Sequence, residues 1–337
     1  MGTITRIDTW DNLPQIIKEK TADAPLFYSR DYEQHLLADN KVYYFYAGGF
    51  VLVVAIHTVA KVFRYGVFPC EPFIYLSDIP PYSEKDFLDD VVDELRRMKV
   101  QWTSITPASS FFMAYPDRSV RIPWGNYVID LTIPEEELFK NVSSKHRNMI
   151  RRGEKSEIDV KFGGVELLSD YMILDKQTWE RSGESPDNEP IFKKYLEDLP
   201  HNAFIGIAYK NSVPQCGLLG LYSKACFYYE FGSSAHKPEP GSTHYLQWKT
   251  ILKMKSAGVL RYSFVGCRID VDKDTKLSNI QHFKAGFGGE LVRSFLFKCE
   301  MNRLQSKVFK LLMFARSGKY PQDAIDYEKS KWKELNQ

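Results

Sequence analysis

Hydrophobic positions along this chain recur with two periods. Val42–Tyr46 and Gly49–Ile56 are short runs rich in β-branched and aromatic residues, the composition of buried strands. Phe87, Leu88, Val91, Val92 and Leu95 recur three and four apart instead, which predicts an amphipathic helix over Ser83–Met98. Ser83 stands at its N-cap, acidic residues fill its first turns, and Arg96 and Arg97 lie near its end, where the helix dipole favours cations. Trp102–Ile105 reads as the next strand, and Arg121–Leu131 carries Pro123 and Gly125 and then a strand ending in Asp130-Leu131. Thr132 and Glu135 have capping-box spacing with Pro134 between them, which opens a helix to about Lys155 with a break near Asn141–Ser144.

The second half repeats the alternation. Leu168–Arg181 and Ile191–Leu199 read as helices, and Ala203–Lys210, Gln215–Tyr222 and Ala225–Phe231 as a meander of strands. A helix over Thr243–Ser256 and a strand over Arg261–Phe264 come next. The order of helices, a meander of three strands, a helix and a strand is an acetyltransferase-like plan for this half. The chain as a whole reads as α/β with mixed sheets in two lobes with a cleft between them. The expected division is 1–125 for the first lobe, 126–300 for the second, and 301–337 for a C-terminal helical segment packing back on the first. Residues 303–315 interleave apolar side chains with Lys307 and Lys310, and Arg316 lies just beyond. A core-facing stripe is the favoured reading there and a membrane-surface helix, hence peripheral membrane contact, the alternative.

Composition narrows the class. With 337 residues, 44% hydrophobic and 14% aromatic, the chain can fill two cores. Its 45 basic and 43 acidic side chains leave a net charge of +2, which argues against a general nucleic-acid coat while allowing a local basic groove. Five cysteines, none at C-x-x-C spacing, fit neither a disulfide framework nor a zinc site, and no metal is expected. Met1–Asp11 has no apolar export core, and the Phe50–Val62 run is too short and polar to span a bilayer. The expected location is the cytoplasm.

Candidate chemistry concentrates at Gln281–Glu290, where Lys284 precedes Gly286, Gly288 and Gly289. A mobile ammonium beside backbone that can approach closely suits the oxyanion formed when an amine attacks an acyl ester. The bland alternative is a strand pair with a glycine bulge and a solvated lysine. Arg147, Arg151 and Lys155 share one helix face, either to meet phosphates or as a solvated face paired with Glu154 and Glu157. Of the seven histidines, His282 alone adjoins the lysine segment. An acetyltransferase would cradle coenzyme A pyrophosphate on a glycine-rich turn opening a helix. The stretch at that place, His236–Thr243, has one glycine, two prolines and Glu239.

Several segments, in order, resemble the FemAB-like aminoacyltransferases. Asp130-Leu131, Glu135–Leu138 and Lys145–Arg152 resemble its D-L…E-E-L…K-x-R-x-x-I-R segment. Thr178–Arg181 resembles its T-x-x-R, Tyr229–Ser234 its Y-x-Y-G-x-S, and Phe283-Lys284 with Phe287–Gly289 its F-K-x-x-F-G-G. Pro25–Ser29 resembles its opening strand. The resemblance implies tandem acetyltransferase-like lobes and transfer of an amino acid from aminoacyl-tRNA to an amine of a peptidoglycan precursor, with no cofactor. It implies that Lys284 lies near the reacting acyl group, Phe283 shapes the acyl pocket, Arg181 contacts precursor phosphate, and Tyr229 lines the acceptor cleft. His282, Arg147 and Arg151 are further candidates for substrate binding, and Glu230 and Asp270 for the general base. The rival readings are an acetyl-CoA-dependent N-acyltransferase acting on an amino sugar, and a non-catalytic precursor-binding module.

Overall fold

The computed structural model describes residues 4–21, 23–38, 40–76, 82–181, 183, 188–269, 275–318 and 323–328. In chain order the elements begin with β1 (Thr5–Ile7), α1 (Gln15–Thr21), α2 (Arg30–Leu37), β2 (Lys41–Ala47), β3 (Phe50–Val59), β4 (Phe63–Val67) and β5 (Phe73–Ile74). Next come α3 (Glu84–Arg97), β6 (Trp102–Thr103), β7 (Ser119–Asp130), α4 (Glu135–Asn141), α5 (Ser144–Lys155), β8 (Asp159–Gly163), α6 (Leu168–Glu180) and α7 (Glu189–Asp198). The chain continues through β9 (Ala203–Lys210), β10 (Val213–Tyr222), β11 (Phe227–Ser234), α8 (Ser242–Ser256), β12 (Arg261–Ser263), α9 (Lys276–Ala285), β13 (Glu290–Cys299) and α10 (Arg303–Ser317).

The chain forms two compact units. One comprises 1–22, 36–125 and 293–337, the other 23–35 and 126–292. In the first unit a six-stranded sheet runs β1-β2-β3-β4-β6, with β5 also paired to β3. β2, β3 and β4 form an antiparallel meander, and β6 joins β4 in parallel. The five apolar side chains of the predicted α3 stripe are all buried. There they pack with Phe45, Leu52, Val54, Phe68, Phe112 and Phe297. The α3 cap forms in both directions: Asp86 N–H donates to Ser83 Oγ at 3.2 Å, and Ser83 N–H to Asp86 Oδ2 at 3.1 Å.

A seven-stranded sheet is ordered β13-β7-β12-β11-β10-β9-β8, and its strands β8 to β12 all belong to the second unit. β8 to β11 are successive antiparallel neighbours, β12 joins β11 in parallel, and β7 is antiparallel to β12. α8 lies against this sheet through Leu246, Trp248, Ile251 and Met254, which share a core with Leu218, Phe227, Tyr262, Phe264 and Phe287.

Two local expectations fail and a third holds. Thr132 does not cap α4. Its hydroxyl and N–H both turn back to Asp130 Oδ1, at 2.7 and 2.8 Å, and Pro134 takes the N-cap place without a side-chain bond. An Asx-type local bond competes with the cap and wins here. Residues Leu26–Tyr28 form a 3-10 turn rather than a strand, set by Pro25 and closed by Tyr28 N–H to Pro25 O at 3.0 Å. The expected break in the 132–155 helix is real: α4 ends at Asn141, and Ser143 caps α5 by accepting from His146 N–H at 3.3 Å.

Candidate functional site

The glycine-rich segment is neither a strand bulge nor solvated. Residues 276–285 are helical. Thr275 caps α9 by accepting from Ser278 N–H at 3.1 Å, and Gly286 ends it. Lys284 lies in the last turn with its side chain turned inward, only 7% exposed. Its ammonium donates to two carbonyls, Val265 O and Gly266 O, both at 2.7 Å. Val265 has φ +43°, a backbone region that β-branched residues seldom adopt, so this turn is held under strain while its carbonyls meet the lysine. Burial disfavours the charged form and lowers the Lys284 pKa to about 8, while Cys267 and Glu230 act electrostatically in the opposite sense.

Strand topology places this ammonium at the end of a short parallel pair. β11 and β12 are paired in parallel at only two positions, Phe227 with Tyr262 and Tyr228 with Ser263. Beyond that point β11 continues to Ser234, whereas the chain after β12 bends to β7, with Phe264 N–H donating to Tyr127 O at 2.9 Å. The strands therefore part at their carboxyl ends, where open α/β sheets characteristically place ligands. Glu230 projects from the departing strand and Val265–Cys267 extend from the other, so Lys284 and its electrostatic partners cluster at the notch.

A shell that the linear sequence conceals holds this helix end. His146 of α5 donates from Nε2 to the carbonyl of Phe283 at 3.0 Å, leaving its buried Nδ1 without a hydrogen-bond partner. The His146 ring meets His244 of α8 edge to face at 4.5 Å, and Phe287 at 4.9 Å. Phe283 packs on His244 at 5.2 Å and on Phe287 at 5.2 Å, and Phe287 stacks on Phe264 at 5.2 Å. Burial lowers the pKa of both histidines, His244 to about 4, with the neighbouring His146 and Lys145 adding to the effect. Both rings are therefore neutral near pH 7. The glycines are needed for these approaches. A Cβ at Gly286 would lie 2.3 Å from the His146 ring, and one at Gly288, where φ is +85°, 2.7 Å from the Asn141 carbonyl oxygen.

Phe283 is partly buried beside the notch, its ring in the histidine shell. His282 is exposed on the outer side of α9 and does not join the cluster. Tyr229 turns into the core, its ring edge to face with Phe264 at 6.2 Å and its hydroxyl toward Gln247. Arg181 clamps the end of β11: its guanidinium donates to Ser234 O and Ala235 O at 2.9 and 3.0 Å, and to Thr178 Oγ1 and Ser234 Oγ at 3.1 and 3.0 Å. Arg147 caps the C-terminus of α4 through Lys140 O at 2.8 Å and Val142 O. Arg151 lies over the Phe139 ring at 5.5 Å, in a groove shared with Glu135, Glu136, Glu154 and Lys249. The basic stripe is thus a mixed-charge face in which each arginine already has an intramolecular role. Glu230 is partly buried at the notch, and Asp270 lies outside the described residues.

Two further features bear on ligands. Among the described residues, no group of His, Cys, Asp and Glu is placed to hold a metal ion. The start of α8, which in an acetyltransferase would take pyrophosphate, is pressed against α5: a Cβ on Gly241 would fall 2.6 Å from both Gly153 N and Met149 O. One on Gly153 would fall 2.8 Å from Gly241 O. The backbone of α5 thus occupies the space against that turn.

Repeated strand–helix units on two mixed sheets define the class, a fold of two acetyltransferase-like lobes. Within that class the chain is FemAB-like, and the model of the FemAB family matches residues 78–214. Among solved structures, FemX superposes with a TM-score of 0.66 at 12% identity, covering 90% of this chain and 99% of that one. A tandem GNAT protein from the clavulanic acid biosynthesis pathway gives 0.51 at 9% identity, covering 88% and 98%. The C-terminal domain of a putative lysylphosphatidylglycerol synthetase from Agrobacterium fabrum gives 0.51 at 11%, covering 78% and 89%. At such identities the likeness is one of fold. No curated protein sequence matches the chain.

Proposed function

We propose that this protein transfers an aminoacyl group from aminoacyl-tRNA to an amine of a peptidoglycan or related cell-envelope precursor. The observation that carries the proposal is the Lys284 ammonium, buried at the β11–β12 notch and held by two carbonyls that an incoming acyl oxygen can replace as its partner. In the reaction the amine nitrogen attacks the ester carbonyl and a C–N bond forms. The carbonyl oxygen becomes an oxyanion beside Lys284. Collapse breaks the ester C–O bond, and the amine proton ends on the departing ribose hydroxyl. Donors aimed at such an oxyanion are worth about 10²–10³-fold in rate, and positioning of amine and ester supplies much of the rest. No covalent enzyme intermediate is required. The FemAB match and the fold shared with FemX support this reading. The occupied α8 turn disfavours the acetyl-CoA-dependent alternative.

The test is direct. Purified protein is titrated with acetyl-CoA and with charged tRNA, then assayed for transfer to precursor amines. Saturable use of charged tRNA with no acetyl-CoA binding is expected. Lys284→Met should lower single-turnover transfer about 10²-fold or more. Tight acetyl-CoA binding, or a Lys284→Met rate equal to wild type, would refute the assignment. Precursor binding without turnover on any aminoacyl-tRNA would favour a binding module instead.

A further inference from the structure

Helix α10 shows solvent the wrong face for a surface helix of a soluble domain. Its inward stripe, Ser306, Phe309, Lys310 and Met313, is spaced three and four residues apart and turns to the first unit. There Phe309 packs on Trp102 at 4.9 Å and on Phe63 at 5.3 Å, and Lys310 pairs with Glu300 at 3.2 Å. The opposite stripe should be polar. Instead it carries Leu304, Val308, Leu311 and Leu312, exposed by 73, 42, 55 and 54%. Arg303 and Lys307 flank this stripe on one side and Arg316 on the other, and none of the three forms an ion pair with a described residue. From Arg303 to Ser317 there is no carboxylate.

Each feature restricts what can cover this face. Four aliphatic side chains in a row are not stable partners for water, so the stripe is built to be buried. A second copy packed α10 to α10 about a two-fold axis would set cations against cations with no acid to relieve them. An apolar stripe bordered by cations is instead the pattern of a helix lying in a membrane interface, aliphatic chains among the acyl chains and ammonium and guanidinium groups among lipid phosphates. Lys310, already neutralised by Glu300, is the cation that faces away. We propose that α10 docks this protein on an anionic bilayer, lying parallel to the membrane plane with Leu304, Val308, Leu311 and Leu312 inserted. Among the described residues no helix is long and apolar enough to cross a membrane, so the contact is one of adsorption. The inference does not depend on the transferase reading, because binding is measured with neither donor nor acceptor present.

The experiment is flotation of the full chain with phosphatidylcholine vesicles, with and without phosphatidylglycerol. Binding to the anionic vesicles alone, weakening as salt is raised, is expected. Leu304→Asp with Leu311→Asp should abolish it. Arg303→Glu with Lys307→Glu and Arg316→Glu should lower the partition coefficient at least about tenfold. These side chains are exposed, so thermal melts of both variants should match wild type, which separates lost docking from lost folding. No binding to anionic vesicles, equal binding to neutral ones, or indifference to both variants would overturn the proposal. So would a dimer in sedimentation equilibrium that the leucine pair removes.

Discussion

Lys284 shows how burial changes what a residue is worth. An exposed lysine could be truncated at little cost, but this one satisfies two carbonyls in a strained turn. Lys284→Met should therefore cost about 1–3 kcal/mol of stability as well as activity. Its pH signature has a definite sign. The pKa falls from 10.5 to about 8 on folding, so between those values the unfolded chain holds more protons and stability rises with pH, a rise that Lys284→Met should remove from denaturant midpoints. The transfer rate should run the other way, falling as pH rises through about 8, since the ammonium is the form that stabilises an oxyanion. His244 behaves alike in a lower window. Its pKa drops from 6.5 to about 4, so stability is lost as pH falls from 6.5 toward 4. His244→Gln should flatten that loss, read as the difference between variant and wild-type melts. Gly286→Ala should destabilise by about 1–3 kcal/mol, because the new methyl group meets the His146 ring at 2.3 Å.

Elements differ in how much of their form is local. α3 is almost wholly so: its stripe, its capping box and its terminal arginines agree, and each is readable from residues within a few positions. Ser83→Ala should cost about 1 kcal/mol, measured by chemical denaturation. The break between α4 and α5 is legible for the same reason, since Ser143 caps the start of α5. α9 is not. Its sequence has no strong apolar stripe and it ends in glycines, which suggest a bulge. It is held by what its end touches, through Phe283 O on His146 and Gly286 O accepting from Ser143 N–H at 2.9 Å. The start of α4 fails in the opposite way, with a local motif at Thr132 present in sequence but diverted by a nearer acceptor, Asp130.

At the scale of the whole molecule, the alternation of strand and helix periods carries the class. Mixed sheets in two acetyltransferase-like lobes arise from patterning that each segment states for itself. The ordered motifs likewise point to a FemAB-like chain without any coordinates, and the family match at 78–214 takes in the first two of them, Asp130–Arg152 and Thr178–Arg181. A sequence does not show which distant residues share a space. His146, His244 and Phe283 lie far apart in the chain and nothing in their spacing joins them, yet they form one shell behind Lys284. The arginines show the converse. Arg147 and Arg181 look free to bind phosphate because charge is visible in sequence, whereas the carbonyls that engage them are not.

The sequence by itself determined the type of elements such as α3 and α5 and the two-lobe class, because hydrophobic period, capping and motif order are properties of neighbouring residues. Tertiary structure alone decided that Lys284 is buried, that the α8 turn is filled by α5 and that the apolar stripe of α10 faces outward. Those depend on which surfaces meet, and desolvation and steric exclusion arise only once they do.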